Sequence, residues 1–141
     1  MLTARTSELE LLTAWIDSDP DVARVRPAFP INHYTGAADS AVVYFEVEPG
    51  ERLPRHTDSE EEILYIVAGE GEAEAGGELA DVRAGDLAVI PALVPHGVRN
   101  TGDETLKVVG FFSGAKIVSN FEEPLQPLGT AEIKMGAPVP A

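Results

Sequence analysis

The sequence predicts an all-β protein in which short antiparallel strands form a barrel or sandwich. From residue 39 onward, short runs of β-branched and aromatic residues alternate with turn signals such as Pro49-Gly50 and Gly76-Gly77. No segment in this region keeps a helical period for long. Many short strands separated by glycine- and proline-containing turns are typical of antiparallel sandwiches and barrels.

Six strands are predicted directly from these runs. Gly76-Gly77 is expected to form a two-residue hairpin turn, because both positions favour a positive φ. The predicted strands are 41–47, 63–67, 72–75, 78–82, 87–90 and 106–112.

The regions before and after this barrel, residues 39–113, carry different patterns. Residues 7–17 place Leu9, Leu12 and Ile16 at helical spacing and predict a short helix. The prolines that follow predict an extended arm up to residue 38. Residues 114–141 contain four prolines and little periodicity, which predicts a tail that wraps the barrel or is partly disordered. All three regions are expected to form one structural domain of 141 residues.

Composition excludes several classes of function. The chain has 24 acidic and 10 basic residues, and its formal charge of −14 disfavours nucleic acid and anionic membranes as partners. It has no cysteine, so a metal must be held by nitrogen and oxygen ligands. No apparent signal peptide and no apolar run of about 20 residues occur, which indicates a cytoplasmic protein without a membrane span.

A first group of spaced residues combines imidazole and carboxylate side chains. It reads Gly50-x5-His56-x-Asp58-x3-Glu62-x6-Gly69. In a strand, residues two apart point to the same face, so His56 and Asp58 should project together. After the acidic turn, the next strand would return with Glu62 opposite them.

A second group supplies the remaining histidine of this constellation. It reads Gly85-x5-Pro91-x-Leu93-x2-His96-x3-Asn100. His96 is expected on a strand that closes the site begun by the first group. The chain's third histidine, His33, lies outside both groups and is interpreted as a surface or satisfied core residue, with a place at the pocket mouth as the alternative.

The two groups resemble the paired motifs of the cupin superfamily, G-x5-H-x-H-x3,4-E-x6-G and G-x5-P-x-G-x2-H-x3-N. Two positions depart from them: Asp58 replaces the second histidine, and Leu93 replaces a glycine. The resemblance implies a double-stranded β-helix, or jelly-roll, barrel. It also implies one divalent metal ion, with His56, Glu62 and His96 as ligands. Fe(II) is favoured, while Mn, Ni, Co and Zn also suit such a ligand set.

Asp58 leaves three alternatives open. Its side chain could ligate the metal directly. It could instead be too short to reach the metal, which would leave an additional open coordination position. In the third alternative, it orients His56 or a metal-bound water from the second coordination shell by hydrogen bonding. If it is not a ligand, Asp58 could serve as a catalytic general base.

Strand alternation also predicts the lining of a pocket. If Glu62 points inward, Leu64 and Ile66 do so too, and His96 brings Val98 with it. Phe45 is expected to face the barrel, with Tyr44 outside. Leu93 either relaxes its turn, accepts some strain or directs an apolar group toward the pocket.

The favoured function is a metal-dependent enzyme that acts on a small organic molecule, with dioxygenase-type chemistry first because two histidines and a carboxylate suit non-haem Fe(II). A redox-neutral isomerase, cyclase, hydrolase or lyase is the second hypothesis. A non-catalytic barrel that binds a small ligand or metal is the third. Open sheet edges and the arm at residues 20–38 predict a homodimer.

Overall fold

The computed structural model describes residues 1–138, and these residues form a β-protein with two short 3-10 turns at Thr6–Glu8 and His33–Thr35. The strands are β1 (Ala14–Ile16), β2 (Arg24–Ile31), β3 (Ala41–Val47), β4 (Arg52–Asp58), β5 (Glu62–Ala68), β6 (Glu70–Ala75), β7 (Glu78–Arg83), β8 (Leu87–Ile90), β9 (His96–Asn100), β10 (Leu106–Phe112), β11 (Val118–Gln126) and β12 (Thr130–Lys134). The all-β prediction is confirmed, and all six predicted strands are present.

The strands form one curled sheet whose order is β7-β6-β9-β4-β11-β1-β2-β3-β10-β5-β8, with β12 paired to β11 outside this path. The named strand pairs are antiparallel. The sheet curls so far that β7, at one end of the path, contacts β5 near the other end. This closure produces a barrel with an enclosed inner face.

Alternation along the strands places the apolar residues of β3 inside the barrel. Val43, Phe45 and Val47 are buried in the hydrophobic core, as predicted. Tyr44 is buried on the opposite face, where its hydroxyl donates a hydrogen bond to Glu46 Oε2 at 2.6 Å. The interior of the barrel is therefore built mainly from aliphatic and phenylalanine side chains.

The turn between β6 and β7 follows the sequence prediction. Gly76 and Gly77 both have positive φ, at 58° and 89°, the combination that a two-residue hairpin of this kind requires. The turn sets the register in which Ala75 pairs with Glu78.

The prediction of a helix over residues 7–17 is wrong. This segment contains one 3-10 turn and then β1, which pairs with β2 on one side and β11 on the other. Ala14 and Ile16 are buried, whereas Leu12 is exposed. The buried positions thus follow the two-residue period of a strand, because pairing on both sides satisfies the backbone of this short segment better than an isolated helix would.

The C-terminal segment is more ordered than its sequence indicates. It forms β11, which pairs with β4 and β1, and then β12. Ile117, Leu125 and Met135 from this region are buried in the core. A register shift between Asn120 and Leu125 interrupts the alternation, which explains why the strand pattern is weak in the sequence. Residues 139–141 of the predicted tail lie outside the described residues.

Within residues 1–138, none of the helical segments has the length and apolar character needed to span a membrane.

Candidate metal centre

Three buried side chains converge on the inner face of the barrel. His56 and Asp58 lie two residues apart on β4, and His96 lies directly across from His56 on the neighbouring strand β9. Each of the three offers a donor atom, and these atoms lie within 4.8 Å of one another. The grouping of His56 with Asp58 agrees with the strand alternation predicted from the sequence.

Backbone carbonyl groups orient both imidazole rings in the same way. His56 Nδ1 lies 2.8 Å from the Pro54 carbonyl oxygen, and His96 Nδ1 lies 2.9 Å from that of Val94. A carbonyl oxygen can only accept a hydrogen bond, so each Nδ1 carries the proton and donates it. In the neutral rings, both Nε2 atoms are therefore left with a lone pair, which is the form of histidine that binds a metal.

Asp58 directs one oxygen at these nitrogens. Its Oδ2 lies 3.1 Å from His96 Nε2 and 3.6 Å from His56 Nε2, while its Oδ1 accepts a hydrogen bond from the Ser119 hydroxyl at 2.6 Å. Asp58 Oδ2 and His96 Nε2 are both buried and neither has a hydrogen-bond partner. Two buried acceptors this close repel each other unless a positive charge lies with them. The donor set therefore fits a divalent cation.

Glu62 reaches the same centre from β5. Its Oε1 lies 3.5 Å from His96 Nε2, although Glu62 is not part of the tightest group of donors. The carboxylate packs over Gly110 on β10, where a Cβ atom would overlap with Glu62 Oε2. The absence of a side chain at residue 110 thus makes room for an inward-pointing Glu62.

The charges at this centre are strongly coupled. Burial alone would raise the pKa of Asp58, but the adjacent imidazoles of His56 and His96 hold the pKa of this carboxyl well below its usual value. Burial raises the pKa of Glu62. Burial would lower the pKa of His96, yet the neighbouring Asp58 and Glu62 raise it to about 10. In the metal-free protein, a proton on His96 thus supplies the positive charge that the carboxylates require.

A small apolar cavity of about 60 Å³ adjoins the centre. Its wall is apolar except for Glu62 and Ser119. Four of the chain's five phenylalanines contribute to it: Phe29, Phe45, Phe112 and Phe121. Phe121 also stacks on the His56 ring, with ring centroids 4.6 Å apart. Among the donor side chains, Glu62 therefore lines this apolar space directly, and His56 borders it through Phe121.

The five residues predicted to line the pocket occupy three different positions. Phe45 forms part of the cavity wall. Leu64, Ile66 and Val98 are buried in the core around it. Leu93 is 69% exposed and does not point into the barrel, and its φ of 65° lies in the left-handed region that favours glycine. A leucine in this left-handed region carries backbone strain.

Three residues of the site were not identified from the sequence. Gly110 interrupts the apolar residues between Val108 and Phe112 of β10, and a glycine inside a strand is a known sign of close approach by another group. Ser119 and Phe121 lie on β11, in the segment predicted to be a patternless tail. Nothing in the local sequence indicates that Ser119 would lie opposite Asp58.

Comparisons with known proteins agree with this architecture. Residues 43–112 match the family model described as "Cupin domain". An uncharacterized protein of Methanocaldococcus jannaschii is 31% identical over 73% of this chain and 81% of its own length. Polyketide synthase CurC of Streptomyces cyaneus is 38% identical over 45% of this chain, and 5-nitrosalicylic acid 1,2-dioxygenase of a Bradyrhizobium species is 34% identical over 41%. The matches span only 42% and 28% of the lengths of these two relatives.

Solved structures share the fold at lower identity. A predicted oxalate decarboxylase from Thermotoga maritima superposes with a TM-score of 0.68 at 21% identity, covering 80% of this chain and 99% of that one. The polyketide cyclase RemF from Streptomyces resistomycificus gives a TM-score of 0.63 at 22% identity, covering 79% and 78%. The predicted double-stranded β-helix barrel is thereby confirmed.

The raised pKa of His96 predicts how the stability of the metal-free protein depends on pH. The folded-state pKa of about 10 lies above the ordinary value of 6.5. The stabilisation is therefore fully present below about pH 6.5 and is lost as the pH rises toward 10. We expect the free energy of unfolding, measured by urea denaturation with chelator present, to fall by up to about 1.4 kcal/mol per pH unit in this window. A His96→Gln variant should lack this slope; an equal slope in both proteins would contradict the assignment.

Proposed function

Since this chain belongs to the cupin superfamily, we propose that it is a metal-dependent enzyme acting on a small organic molecule. The observation that carries the proposal is the pair of buried acceptors, Asp58 Oδ2 and His96 Nε2, 3.1 Å apart and without hydrogen-bond partners. His56 and His96 would bind the metal through Nε2, and Asp58 and Glu62 would complete the set with carboxylate oxygens. Fe(II) is the favoured ion, with Mn, Ni, Co and Zn as alternatives.

Asp58 is proposed as a ligand. The hydrogen bond from Ser119 holds Oδ1 away from the centre, which leaves Oδ2 facing both imidazole nitrogens. A side chain oriented in this way is prepared to share a cation with the histidines. Ser119 is the residue that positions it.

Dioxygenase-type chemistry is the favoured reaction. Two histidines and one carboxylate form the set that non-haem Fe(II) oxygenases use, and this site contains that set with a second carboxylate; a bound iron would supply oxygen activation. The phenylalanine-rich wall would exclude water from the centre and hold an apolar substrate against it. The similarity to a 1,2-dioxygenase over 41% of this chain supports the same reaction class.

A redox-neutral reaction is the second candidate, and a specific feature of the site favours it. Asp58 carries a carboxylate where the family motif has a histidine, and it would act as a general base in any state in which it is not ligated to the metal. The similarity to polyketide synthase CurC and the shared fold of a polyketide cyclase support this class, in which cyclisation, isomerisation, hydrolysis or lyase chemistry would use the metal as a Lewis acid.

The metal site predicts a clear pattern of metal content. Protein purified without chelator should contain about one equivalent of divalent metal. His56→Ala and His96→Ala should each lose most of it, because each removes a nitrogen donor from a buried centre. His33→Ala is the matched control and should retain metal, since His33 is exposed and does not belong to the group of donor side chains. Equal retention in wild type, His56→Ala and His96→Ala, measured by elemental analysis, would refute the site.

Metal-exchanged protein distinguishes the reaction classes. Iron-loaded protein should consume oxygen in the presence of a phenol or enolic ketone from a screening panel, and zinc-loaded protein should not turn these compounds over. Full activity with zinc under anaerobic conditions would replace the dioxygenase proposal with the redox-neutral one. Ligand binding without turnover by either form would favour a non-catalytic barrel.

A homodimer is proposed on the basis of one face of the sheet. Strands β3, β10, β5 and β8 align two rows of uncharged side chains on the outside of the barrel, here called the outer apolar face. The rows are Val42-Phe111-Ile63-Val89 and Tyr44-Val109-Tyr65-Leu87. Five of these residues are at least 39% exposed: Ile63, Tyr65, Leu87, Val89 and Phe111.

A second copy of the chain is the occupant that this face fits. A net charge of −14 makes two copies repel each other over most of their surface, and the two rows contain no charged residue. Contiguous exposed apolar patches of this kind are typical of protein–protein contact sites. The region of residues 20–38, for which the sequence predicts an arm that could contact a second copy, contributes β2 to the sheet of its own chain.

The mass in solution tests the dimer. Light scattering should give twice the chain mass of 15.0 kDa. Val89→Glu should produce a monomer, because it places an acidic group on the outer apolar face of each copy, where dimer formation would bury it. Leu79→Glu is the control, since Leu79 is similarly exposed but lies on β7 at the other end of the sheet path. A monomeric wild type, or an unchanged mass for Val89→Glu, would contradict this interface.

A further inference from the structure

The charge of the cavity beside the metal centre restricts what can bind there. Its wall contains four phenylalanines, several aliphatic side chains, and only two polar residues, Glu62 and Ser119. Ser119 uses its hydroxyl to hold Asp58. No lysine, arginine or other cationic group contributes to the wall among residues 1–138.

The chain's ten basic residues all lie elsewhere. Five arginines form ion pairs with acidic side chains at or near the protein surface, for example Arg52 with Asp19 and Arg99 with Glu72. Arg24 lies over the ring of Trp15. The remaining basic residues are exposed or half-buried: Arg83, Lys107, Lys116 and Lys134. The cavity therefore has no side chain that could pair with a ligand carboxylate or phosphate.

The metal itself would not supply a surplus of positive charge. A divalent ion contributes +2, and the buried carboxylates of Asp58 and Glu62 contribute −2. An anionic ligand would therefore add an uncompensated negative charge to a buried, apolar site, where such a charge is strongly disfavoured. An uncharged ligand leaves the balance intact.

We infer that the substrate of this site is uncharged, presenting a polar oxygen or amide to the metal centre and an apolar, aromatic or enolic group to the phenylalanine-lined cavity. This inference rests on the proposed function and narrows it. It excludes simple carboxylates, dicarboxylates and sugar phosphates as substrates of this chain.

The size of the cavity adds a constraint on how an aromatic ring would enter. Its volume of about 60 Å³ is smaller than the roughly 150 Å³ of an apolar protein cavity that accepts benzene. Met135 is part of the wall and has three rotatable side-chain bonds, so it is the wall residue best able to move aside. The ring would occupy the space that the Met135 side chain vacates.

Benzamide and benzoate provide a matched pair of probes, because they have nearly the same shape and differ in charge. With zinc-loaded protein, calorimetric titration should show benzamide binding at least about tenfold more tightly than benzoate. Equal or tighter binding of benzoate would overturn the inference. Absence of binding by either probe would overturn it as well.

Two variants test whether the preference for the uncharged probe arises from Glu62 and from binding in this cavity. Glu62→Gln removes one negative charge and should shift the preference toward benzoate by about tenfold. Met135→Ala enlarges the cavity and should tighten benzamide binding while benzoate stays the weaker ligand; unchanged benzamide affinity would contradict binding in this cavity.

Metal content, measured on the same samples, separates the two claims. Wild-type protein that holds no metal counts against the proposed function. Metal-loaded protein that prefers benzoate counts against the inference on substrate charge and leaves the metal site intact.

Discussion

The contact between Asp58 Oδ2 and His96 Nε2 is the constraint on which the rest of the candidate metal centre depends. The two atoms are buried, 3.1 Å apart, and lack other partners. The Nδ1 atoms of both histidines donate to backbone carbonyl oxygens, so their Nε2 lone pairs face the carboxylate. Only a cation makes this arrangement stable. In the metal-free protein a proton on His96 would be that cation, and the expected loss of stability as the pH rises toward 10 would measure how strongly the centre attracts positive charge.

The rest of the barrel strengthens this requirement. The phenylalanine-rich wall keeps water from the centre, which raises the strength of every charge interaction within it. Ser119 fixes the direction of Asp58, and Gly110 leaves the space that Glu62 needs. The same features that favour a divalent ion also leave no positive charge for an anionic ligand. Under the proposed function, metal binding and the preference for an uncharged substrate would both follow from one charge balance.

The sequence predicts the parts of this site that depend on local spacing. His56 and Asp58 lie on one face because they are two residues apart in a strand, and the two motifs correctly indicate that His96 approaches from another strand. Ser119 could not be predicted, because it meets Asp58 only through the pairing of β11 with β4, and β11 has a broken alternation. The predicted helix fails for a related reason. Its apolar residues fit a helical period locally, but pairing with β2 and β11 decides the structure of Ala14–Ile16.

Leu93 shows a different limit of prediction from sequence. A leucine at the glycine position of the motif allows either a relaxed turn or a strained one, and the barrel imposes the strained one, with a φ of 65°. The geometry of the surrounding strands thus outweighs the preference of a single residue. This position therefore keeps a backbone conformation that favours glycine although its residue is leucine.

X-ray absorption spectroscopy of the metal-loaded protein tests the central claim most directly, since it identifies the ligands themselves. The account predicts imidazole scattering from two histidines together with oxygen ligands in the wild-type protein. For Asp58→Asn, it also predicts the loss of one oxygen ligand or a marked change in the distance between the metal and that oxygen. A spectrum without imidazole scattering, or one unchanged by Asp58→Asn, would show that the buried acceptors do not hold the metal as described.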